Sequence, residues 1–122
     1  MSQPTRRVLV TGATSGIGYA IAQAFAAEGA SVTATGATAP EVSRAQEAST
    51  AKNLDFQILD VRDDAAVKQM VKVMGPLDVV VNCAGIIQRH VELEPEAFAR
   101  TIDINLNGTM RVCAAAREGL KA

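Results

Sequence analysis

A short apolar strand followed at once by a glycine-rich turn constrains the fold of this chain more than any other feature of its sequence. The run from Arg7 to Val10 leads into Thr11-Gly12-Ala13-Thr14-Ser15-Gly16-Ile17-Gly18, within which a helical pattern begins. The three glycines permit a tight turn and a close backbone approach to a bound group. The N-terminus of a helix offers free N–H groups and a partial positive charge. The turn is therefore predicted to hold a phosphate or diphosphate.

The spacing of these glycines separates the turn from two better-known phosphate loops. It differs from the common G-x-G-x-x-G fingerprint, and Gly18 is followed by Tyr19 rather than by the Lys-Ser/Thr ending of a P-loop. A nucleoside triphosphatase is therefore disfavoured. From this motif alone, the alternative that the glycines serve only the turn and helix packing stays open.

Strand-like and helix-like segments alternate along the whole chain. Apolar runs of strand length occur at Arg7 to Val10, Ser31 to Thr35, Phe56 to Leu59 and Leu77 to Val81. Their composition predicts strands buried on both faces. Right-handed crossovers would arrange such strands as an open parallel sheet with helices on both sides and a ligand crevice at the carboxyl ends. We therefore expect one α/β domain, residues 1–122, with the pattern βαβαβαβα.

Apolar residues at helical spacing predict the helices between these strands. One stripe is Ile17, Ile21, Ala24 and Phe25, and another is Val67, Met70, Val71 and Met74. Gly29 and Gly75-Pro76 are stop signals. Thr38 to Thr50 is interpreted as a polar, weakly helical connection. Asp63-Asp64 is typical of a helix start, where acidic residues serve as caps.

The last predicted helix runs from Pro95 to about Arg117, with Gly108 as its only weak interior point. Its apolar residues form two stripes: Phe98, Ile102, Leu106, Met110 and Cys113 on one side, and Ile104 and Val112 on another. Both faces are expected to need a covering surface.

Composition narrows the class of protein further. Hydrophobic residues make up 48% and charged residues 20%, with a net charge of −1 and no apolar run long enough to span a membrane. Disorder, a membrane span and a nucleic-acid partner are therefore not expected. Cys83 and Cys113 stand far apart beside a single histidine, which disfavours a disulfide framework or a metal site. The polar segment from Met1 to Arg7 lacks a secretory pattern, so a cytoplasmic location is expected.

These features together resemble the short-chain dehydrogenase/reductase family of the simple Rossmann type, from Arg7 to the last residue. By that resemblance, Thr11 to Gly18 bind the diphosphate of a dinucleotide cofactor, with Thr14 and Ser15 as added hydroxyl donors. Leu59-Asp60-Val61 matches a second motif of the family. The resemblance implies that the Asp60 carboxylate and the Val61 amide hold the adenine ring.

A third motif, Val81-Asn82-Cys83-Ala84-Gly85, resembles the family's Asn-Asn-Ala-Gly. It implies that Asn82, Cys83, Ala84, Gly85 and the following Ile86 support the sheet and line the cofactor. Cys83 departs from the family pattern, and any hydrogen bond of the usual amide is lost there.

The end of the second strand, Thr35-Gly36-Ala37-Thr38, matches the place where the family reads the ribose 2′-position. Gly36 and Ala37 are expected to contact the cofactor there. Neither an acidic nor a basic residue is present in this stretch, so NAD and NADP both stay open.

The fourth motif is Asp103-Ile104-Asn105-Leu106-Asn107-Gly108, in which Asn105 matches the family's asparagine that helps hold a proton-relay water. A polar side chain in an apolar helix needs partners if it is buried, which favours a specific role for Asn105. The family's catalytic serine and Tyr-x-x-x-Lys pair have no counterpart here, since the only tyrosine, Tyr19, is followed four places later by Gln23.

The resemblance therefore implies a doubly wound parallel sheet of strand order 3-2-1-4, truncated after four strands and the following helix, in an NAD(P)-binding domain incomplete at its C-terminus. It implies an oxidoreductase that transfers hydride between nicotinamide and an alcohol or ketone substrate, with these 122 residues alone inactive. The exposed fourth strand and the last helix favour a homo-oligomer. Two other hypotheses stay open: a non-catalytic dinucleotide-binding module, and an inactive structural fragment.

Overall fold

Residues 5–122 are described by a computed structural model. Residues 1–4, which belong to the polar segment predicted to lack a secretory signal, lie outside the described part. The elements in chain order are β1 Arg7–Thr11, α1 Gly16–Ala27, β2 Ser31–Gly36, α2 Ala39–Ala48, β3 Leu54–Ile58, α3 Asp64–Met74, β4 Val79–Asn82, α4 Pro95–Ile102, a π-helical stretch Asp103–Gly108 and α5 Thr109–Lys121.

The four strands form one parallel sheet in the order β3-β2-β1-β4. Val8 of β1 is in register with Val32 of β2 on one side and with Val79 of β4 on the other. The strand order predicted from the sequence is confirmed. The chain reverses its winding direction at β1, so a crevice opens beyond the carboxyl end of this strand.

Successive residues of β1 supply two separate cores, because their side chains alternate between the faces of the sheet. Val8 and Val10 pack with residues of α1 and α2 on one face. Leu9 packs on the other face with residues of α3 and α5, including Val67 and Val112. Helices therefore cover both faces, as the alternation of elements predicts.

The prediction that all four strands are buried on both faces is wrong for β3 and β4. β3 lies at an edge, where Leu54 and Phe56 are buried while Asp55, Gln57 and Ile58 are exposed. All residues of β4 are only half-buried. An edge strand has one neighbour, and β3 shows the alternation of a strand with one covered face.

The predicted apolar stripe of α1 is confirmed only in part, since Ile21 and Phe25 pack against the core but are not its fully buried residues. Gly18, Ala22 and Ala26 are the buried residues, whereas Ile17 is 78% exposed. A Cβ added at Gly18 would clash with the backbone of Gly12. Small residues therefore let α1 approach the glycine-rich turn more closely than the larger apolar side chains would allow.

The segment interpreted as a weakly helical connection contains a regular helix, α2. The Thr38 backbone N–H donates to Glu41 Oε2 at 3.2 Å, so the Glu41 side chain caps the start of this helix. Val42 and Ala45 are buried against the sheet. The signal for this helix is present in the sequence as a threonine followed three places later by glutamate.

The glycine stop signals and the acidic helix start are confirmed. Gly29 and Gly75 follow α1 and α3 with φ angles of 93° and 76°, a conformation that favours glycine. The Asp63 side chain accepts a hydrogen bond from the Ala66 N–H at 3.1 Å at the start of α3. These local signals specify where the helices begin and end.

The last helical segment is continuous to Lys121, four residues beyond its predicted end near Arg117, but residues 103–108 are π-helical. Val112 faces the core and Ile104 packs against it. Phe98, Leu106 and Met110, from the other predicted stripe, are exposed. Within residues 5–122, no helix has the length and apolarity to cross a bilayer.

Candidate functional site

A cleft of about 710 Å³ opens at the carboxyl end of the sheet. It is lined by the turn after β1, the end of β2, the segments after β3 and β4, and parts of α2 and the π-helical stretch. All the residues predicted to bind a cofactor line this cleft except Thr11 and Asn82: Gly12, Thr14, Ser15, Gly16, Ile17, Gly18, Gly36, Ala37, Asp60, Val61, Cys83, Ala84, Gly85 and Ile86.

The glycine-rich turn leaves the start of α1 available to a ligand. Gly12 and Gly16 have φ angles of 58° and 60°, and a Cβ added at Gly16 would meet nothing within 4 Å. The Ser15 side chain makes no capping hydrogen bond, and no acidic residue lies in the first turn of α1. The first N–H groups of a helix have no partner within it. This end of the cleft therefore fits an anionic group such as a diphosphate.

Thr11 positions the segment after β4 instead of lining the cleft. It is fully buried, and its Oγ1 accepts hydrogen bonds from the Cys83 and Ala84 backbone N–H groups, both at 3.3 Å. A Cβ added at Gly12 would lie 2.5 Å from the Ala84 nitrogen. The turn after β1 and the segment after β4 are therefore in direct backbone contact. The Cys83 thiol takes no part in this contact, which uses only the backbone of that residue.

Asn82 lies beside a second groove. Its Nδ2 donates to Cys113 Sγ at 3.5 Å, and its buried Oδ1 has no hydrogen-bond partner among the described residues. The second groove has a volume of about 580 Å³ and is lined by Val80, Asn82, Met110, Cys113, Ala114, Arg117, Leu120 and Lys121. The Asn82 side chain thus lies on the face of the sheet that α5 covers.

Asp60, at the end of the cleft predicted to hold adenine, is paired with Arg62. Arg62 Nη2 lies 2.6 Å from Asp60 Oδ2, and its Nε donates to Asp60 Oδ1 at 3.0 Å. Hydrogen bonds from the Arg62 side chain hold the pKa of the Asp60 carboxyl below its usual value, against the opposing effect of partial burial. Asp60 is therefore ionised at neutral pH and can still accept further hydrogen bonds.

The Val61 backbone is held by Arg111, a residue of α5 that does not line the cleft. Arg111 Nη1 donates to the Val61 carbonyl at 3.0 Å, while its Nη2 lies 2.5 Å from Asp103 Oδ1. Hydrogen bonds from Arg111, and next from Asn107, lower the pKa of Asp103. The helix α5 thereby anchors the segment after β3.

Asn105 does not line the cleft, but it clamps a segment that does. Its Oδ1 accepts from the Ile86 N–H at 2.8 Å, and its Nδ2 donates to the Ile86 carbonyl at 3.0 Å. The side chain is exposed, so its need for partners does not come from burial. Both hydrogen-bonding groups of the amide are nevertheless used, which supports a specific structural role.

Five residues that were not predicted to bind the cofactor also line the cleft: Glu41, Leu59, Arg62, Ile87 and Ile104. Two of them are charged. Glu41 carries a signal in the capping pattern that starts α2, and Arg62 stands two residues after an aspartate already singled out. Ile87 and Ile104 lie on the segment after β4 and on the π-helical stretch, so their place depends on tertiary packing.

Comparison with known proteins gives consistent matches over nearly the whole chain. The family profile described as short chain dehydrogenase matches residues 6–122. A 2-keto-3-deoxy-L-fuconate dehydrogenase of Xanthomonas campestris is 35% identical over 117 residues, covering 94% of this chain and 38% of that protein. Human L-xylulose reductase is 35% identical over 120 residues, covering 96% of this chain and 48% of that protein.

Solved structures show the same architecture. A crystal structure of 2-keto-3-deoxy-D-gluconate dehydrogenase from Streptococcus agalactiae superposes with a TM-score of 0.79 at 33% identity, covering 94% of this chain and 46% of that one. A short-chain type dehydrogenase/reductase from Mycobacterium ulcerans gives a TM-score of 0.82 at 32% identity. The chain spans less than half the length of these relatives.

Proposed function

The chain belongs to the short chain dehydrogenase family, and from that membership we propose that it carries the cofactor-binding part of an NAD(P)-dependent oxidoreductase. The observation that carries this proposal is the start of α1, where a helix N-terminus without a side-chain cap opens into the cleft. An anion is the group that such a site favours. The bound nicotinamide dinucleotide supplies the hydride acceptor or donor.

Each part of the cleft has a proposed role in holding this cofactor. The diphosphate lies against the turn formed by Thr14, Ser15, Gly16, Ile17 and Gly18, whose backbone N–H groups are its donors. The adenine ring is bound beside Asp60 and Val61. The segment of Cys83, Ala84, Gly85 and Ile86 lines the opposite wall, with Thr11 and Asn105 as positioning residues behind it. Asn82 does not line the cleft, and its hydrogen bond to Cys113 joins the end of β4 to α5.

The proposed substrate class is a small alcohol or ketone. The relatives are described as dehydrogenases and reductases, and hydride transfer to or from nicotinamide interconverts these two groups. We propose Asn105 as the residue of the proton relay within this chain. The family's Tyr-x-x-x-Lys pattern does not occur in the 122 residues. We therefore propose that these residues alone bind the dinucleotide without turning over a substrate.

A homo-oligomer is also proposed. Phe98, Leu106 and Met110 are exposed on one face of the last helical segment. Within residues 5–122, strand β4 pairs with β1 alone, so its other edge is unpaired in this part of the chain. An exposed apolar face beside an unpaired strand edge favours association of two copies.

The test is a titration of the 122-residue protein with NADH and with NADPH, followed by nucleotide fluorescence and calorimetry. We expect saturable binding with a dissociation constant on the order of micromolar. The informative variant is Ser15→Asp, which places a favoured capping residue at the start of α1 and a negative charge where the diphosphate binds. It should bind at least about tenfold more weakly while melting at an equal or higher temperature.

Ser43→Asp is the matched control, because Ser43 is exposed on α2 and does not line the cleft. It adds the same charge and should leave binding unchanged. The absence of saturable binding in the wild type would reject the proposed function. Equal affinities of the wild type and Ser15→Asp would reject the assignment of the diphosphate to α1.

A further inference from the structure

One wall of the cleft is formed by the end of β2 and the start of α2. The negative charge of this wall comes from Glu41 on the helix, because the end of the strand carries no charged side chain. Gly36, Ala37 and Glu41 line the cleft together. In dinucleotide-binding folds, the end of the second strand is where the ribose 2′-position is read, by an acid for NAD or by a basic residue for NADP. At this place the described residues contribute one carboxylate, that of Glu41, which lies on the helix.

Packing explains why the strand carries no acidic side chain here. A Cβ added at Gly36 would clash with Thr14 Cγ2 and would lie 3.3 Å from Val42 Cγ2. The space beyond Gly36 is therefore filled by the glycine-rich turn on one side and by α2 on the other. A side chain cannot be accommodated at Gly36 itself, and Ala37, the next residue of the lining, carries no polar group, so the charged group of this wall comes from α2.

The Glu41 carboxylate also occupies the N-terminus of α2, which is the part of this wall that would otherwise attract an anion. Its Oε2 accepts the Thr38 N–H at 3.2 Å, so the carboxylate sits on the N-terminus of α2. Free N–H groups and the positive end of a helix dipole favour a phosphate. With the carboxylate already placed there, a second anion meets a like charge instead.

No free cation compensates for this charge among the cleft residues that the structure describes. The charged residues of the lining are Glu41, Asp60 and Arg62. Arg62 is bound to Asp60 through both its Nη2 and its Nε, at 2.6 Å and 3.0 Å. The described lining therefore has a net formal charge of −1, and its guanidinium group, that of Arg62, is already paired with Asp60.

From this arrangement we propose that Glu41 determines the cofactor preference of the cleft, excluding the 2′-phosphate of NADP(H) by charge repulsion and so favouring NAD(H). The inference rests on the proposed function, because it assigns the ribose 2′-position to the wall of Gly36, Ala37 and Glu41. The carboxylate acts from the first turn of a helix, where its capping hydrogen bond fixes its position.

The experiment compares the dissociation constants of NADH and NADPH for the wild type, Glu41→Gln and Glu47→Gln. Glutamine also completes the capping pattern at this position, so α2 is retained while the charge is removed. Glu47 is exposed on the same helix and does not line the cleft, which makes its variant the matched control. Circular dichroism and thermal unfolding confirm that all three proteins are folded.

We expect the wild type to bind NADH roughly tenfold more tightly than NADPH at low salt, and Glu41→Gln to lose most of that ratio through tighter NADPH binding. Glu47→Gln should keep the wild-type ratio. Raising the salt concentration to about 1 M should reduce the wild-type ratio, because a charge effect is screened.

The possible outcomes separate this inference from the proposed function. If the wild type binds neither nucleotide, the dinucleotide site itself is rejected and the inference falls with it. If the wild type binds NADH but binds NADPH equally well or better, the cofactor preference is overturned while the proposed function stands. If the ratio is the same in the wild type and Glu41→Gln, Glu41 does not determine it.

Discussion

At the scale of single residues, Gly18 sets the distance between α1 and the turn that precedes it. The residue is buried on the face of α1 that packs on the turn. A Cβ added there would overlap the Gly12 carbonyl oxygen and would lie 3.0 Å from its carbonyl carbon. These are backbone atoms, so no side-chain rotation can relieve the contact. The helix would have to move away from the turn.

Gly18→Ala therefore tests the packing against the intrinsic preference of a helix. Alanine at an ordinary helix position is about 1 kcal/mol more stable than glycine. Here we expect the opposite sign, a loss of about 2 kcal/mol in the free energy of unfolding, since overpacking costs roughly 1–3 kcal/mol. Urea denaturation measures the difference, and a stabilised variant would show that α1 can shift without cost.

Asn105 is the second residue whose role can be separated from its neighbours. Asn105→Ala removes both hydrogen bonds to the Ile86 backbone, and we expect a loss of about 1–2 kcal/mol in unfolding free energy. Amide hydrogen exchange should accelerate in residues 84–88. Asn107→Ala is the control, because the Asn107 side chain donates to Asp103 and not to this segment. Exchange that is equally fast in both variants would contradict the clamp.

Motif spacing indicates residues of the cleft most directly where the backbone conformation itself carries the signal. Gly12 and Gly16 have positive φ angles, and the turn that contains them lines the cleft. Thr11 and Asn82 belong to the predicted site through their motifs, and neither side chain lines the cleft: Thr11 accepts hydrogen bonds from the Cys83 and Ala84 backbone, and Asn82 donates to Cys113. Glu41 and Arg62 reach the cleft through the packing of α2 and the segment after β3, which motif spacing does not encode.

At the scale of elements, the π-helical stretch between α4 and α5 shows what periodicity cannot reveal. Apolar spacing predicts one helix, because a local widening changes the hydrogen-bond pattern without removing any residue from the run. The observed contacts are tertiary. A Cβ added at Gly108 would lie 2.5 Å from Val61 Cγ2, and Arg111 binds both Val61 and Asp103. Helix ends marked by glycine or an acidic cap were predictable because those signals are local.

The ion pair of Arg111 with Asp103 gives this stretch a pH dependence. Arg111 lowers the pKa of Asp103 in the folded protein, so the pair stabilises the fold above the ordinary aspartate pKa of about 3.9. That contribution is lost as the pH falls through the lowered folded value. We therefore expect Arg111→Met to be destabilised relative to the wild type at neutral pH, with a smaller difference below about pH 4.

Unfolding free energies of both proteins at neutral pH and near pH 3 measure this change. Part of the difference should persist in acid, because Arg111 also donates to the Val61 and Asp103 carbonyls at 3.0 Å and 3.3 Å, and these do not titrate. An identical difference at both pH values would show that the carbonyl contacts account for the whole effect.

At the scale of the whole molecule, the last helical segment has one apolar face packed on the core and one apolar face exposed to solvent. The sequence predicted two apolar stripes, and the sheet covers the one that includes Val112. Leu106 and Met110 of the other stripe are 62% and 57% exposed. A single sequence shows that both faces are apolar, but only the arrangement of the sheet decides which one is buried.

The proposed oligomer follows from this uncovered side. Sedimentation velocity over a range of concentrations should show association of the wild type, and Met110→Glu should weaken it by placing a charge in the contact. Val73→Glu is the matched control, since Val73 is 74% exposed on α3. A wild type that sediments as a monomer at every concentration, or equal behaviour of the two variants, would argue against this interface.

The position of β1 at the centre of the sheet divides the cleft between two consecutive stretches of the chain. One wall comes from residues 36–62 and the other from residues 83–87 with Ile104, while the turn after β1 lies between them. Apart from that turn, the two walls share no residue. Behind the cleft, however, the walls share one core, in which Ala84 and Ile104 of one wall pack against the cluster that contains Leu59 and Val61 of the other. A substitution in either wall is therefore expected to disturb the opposite one, so neither can be exchanged between relatives without its partner.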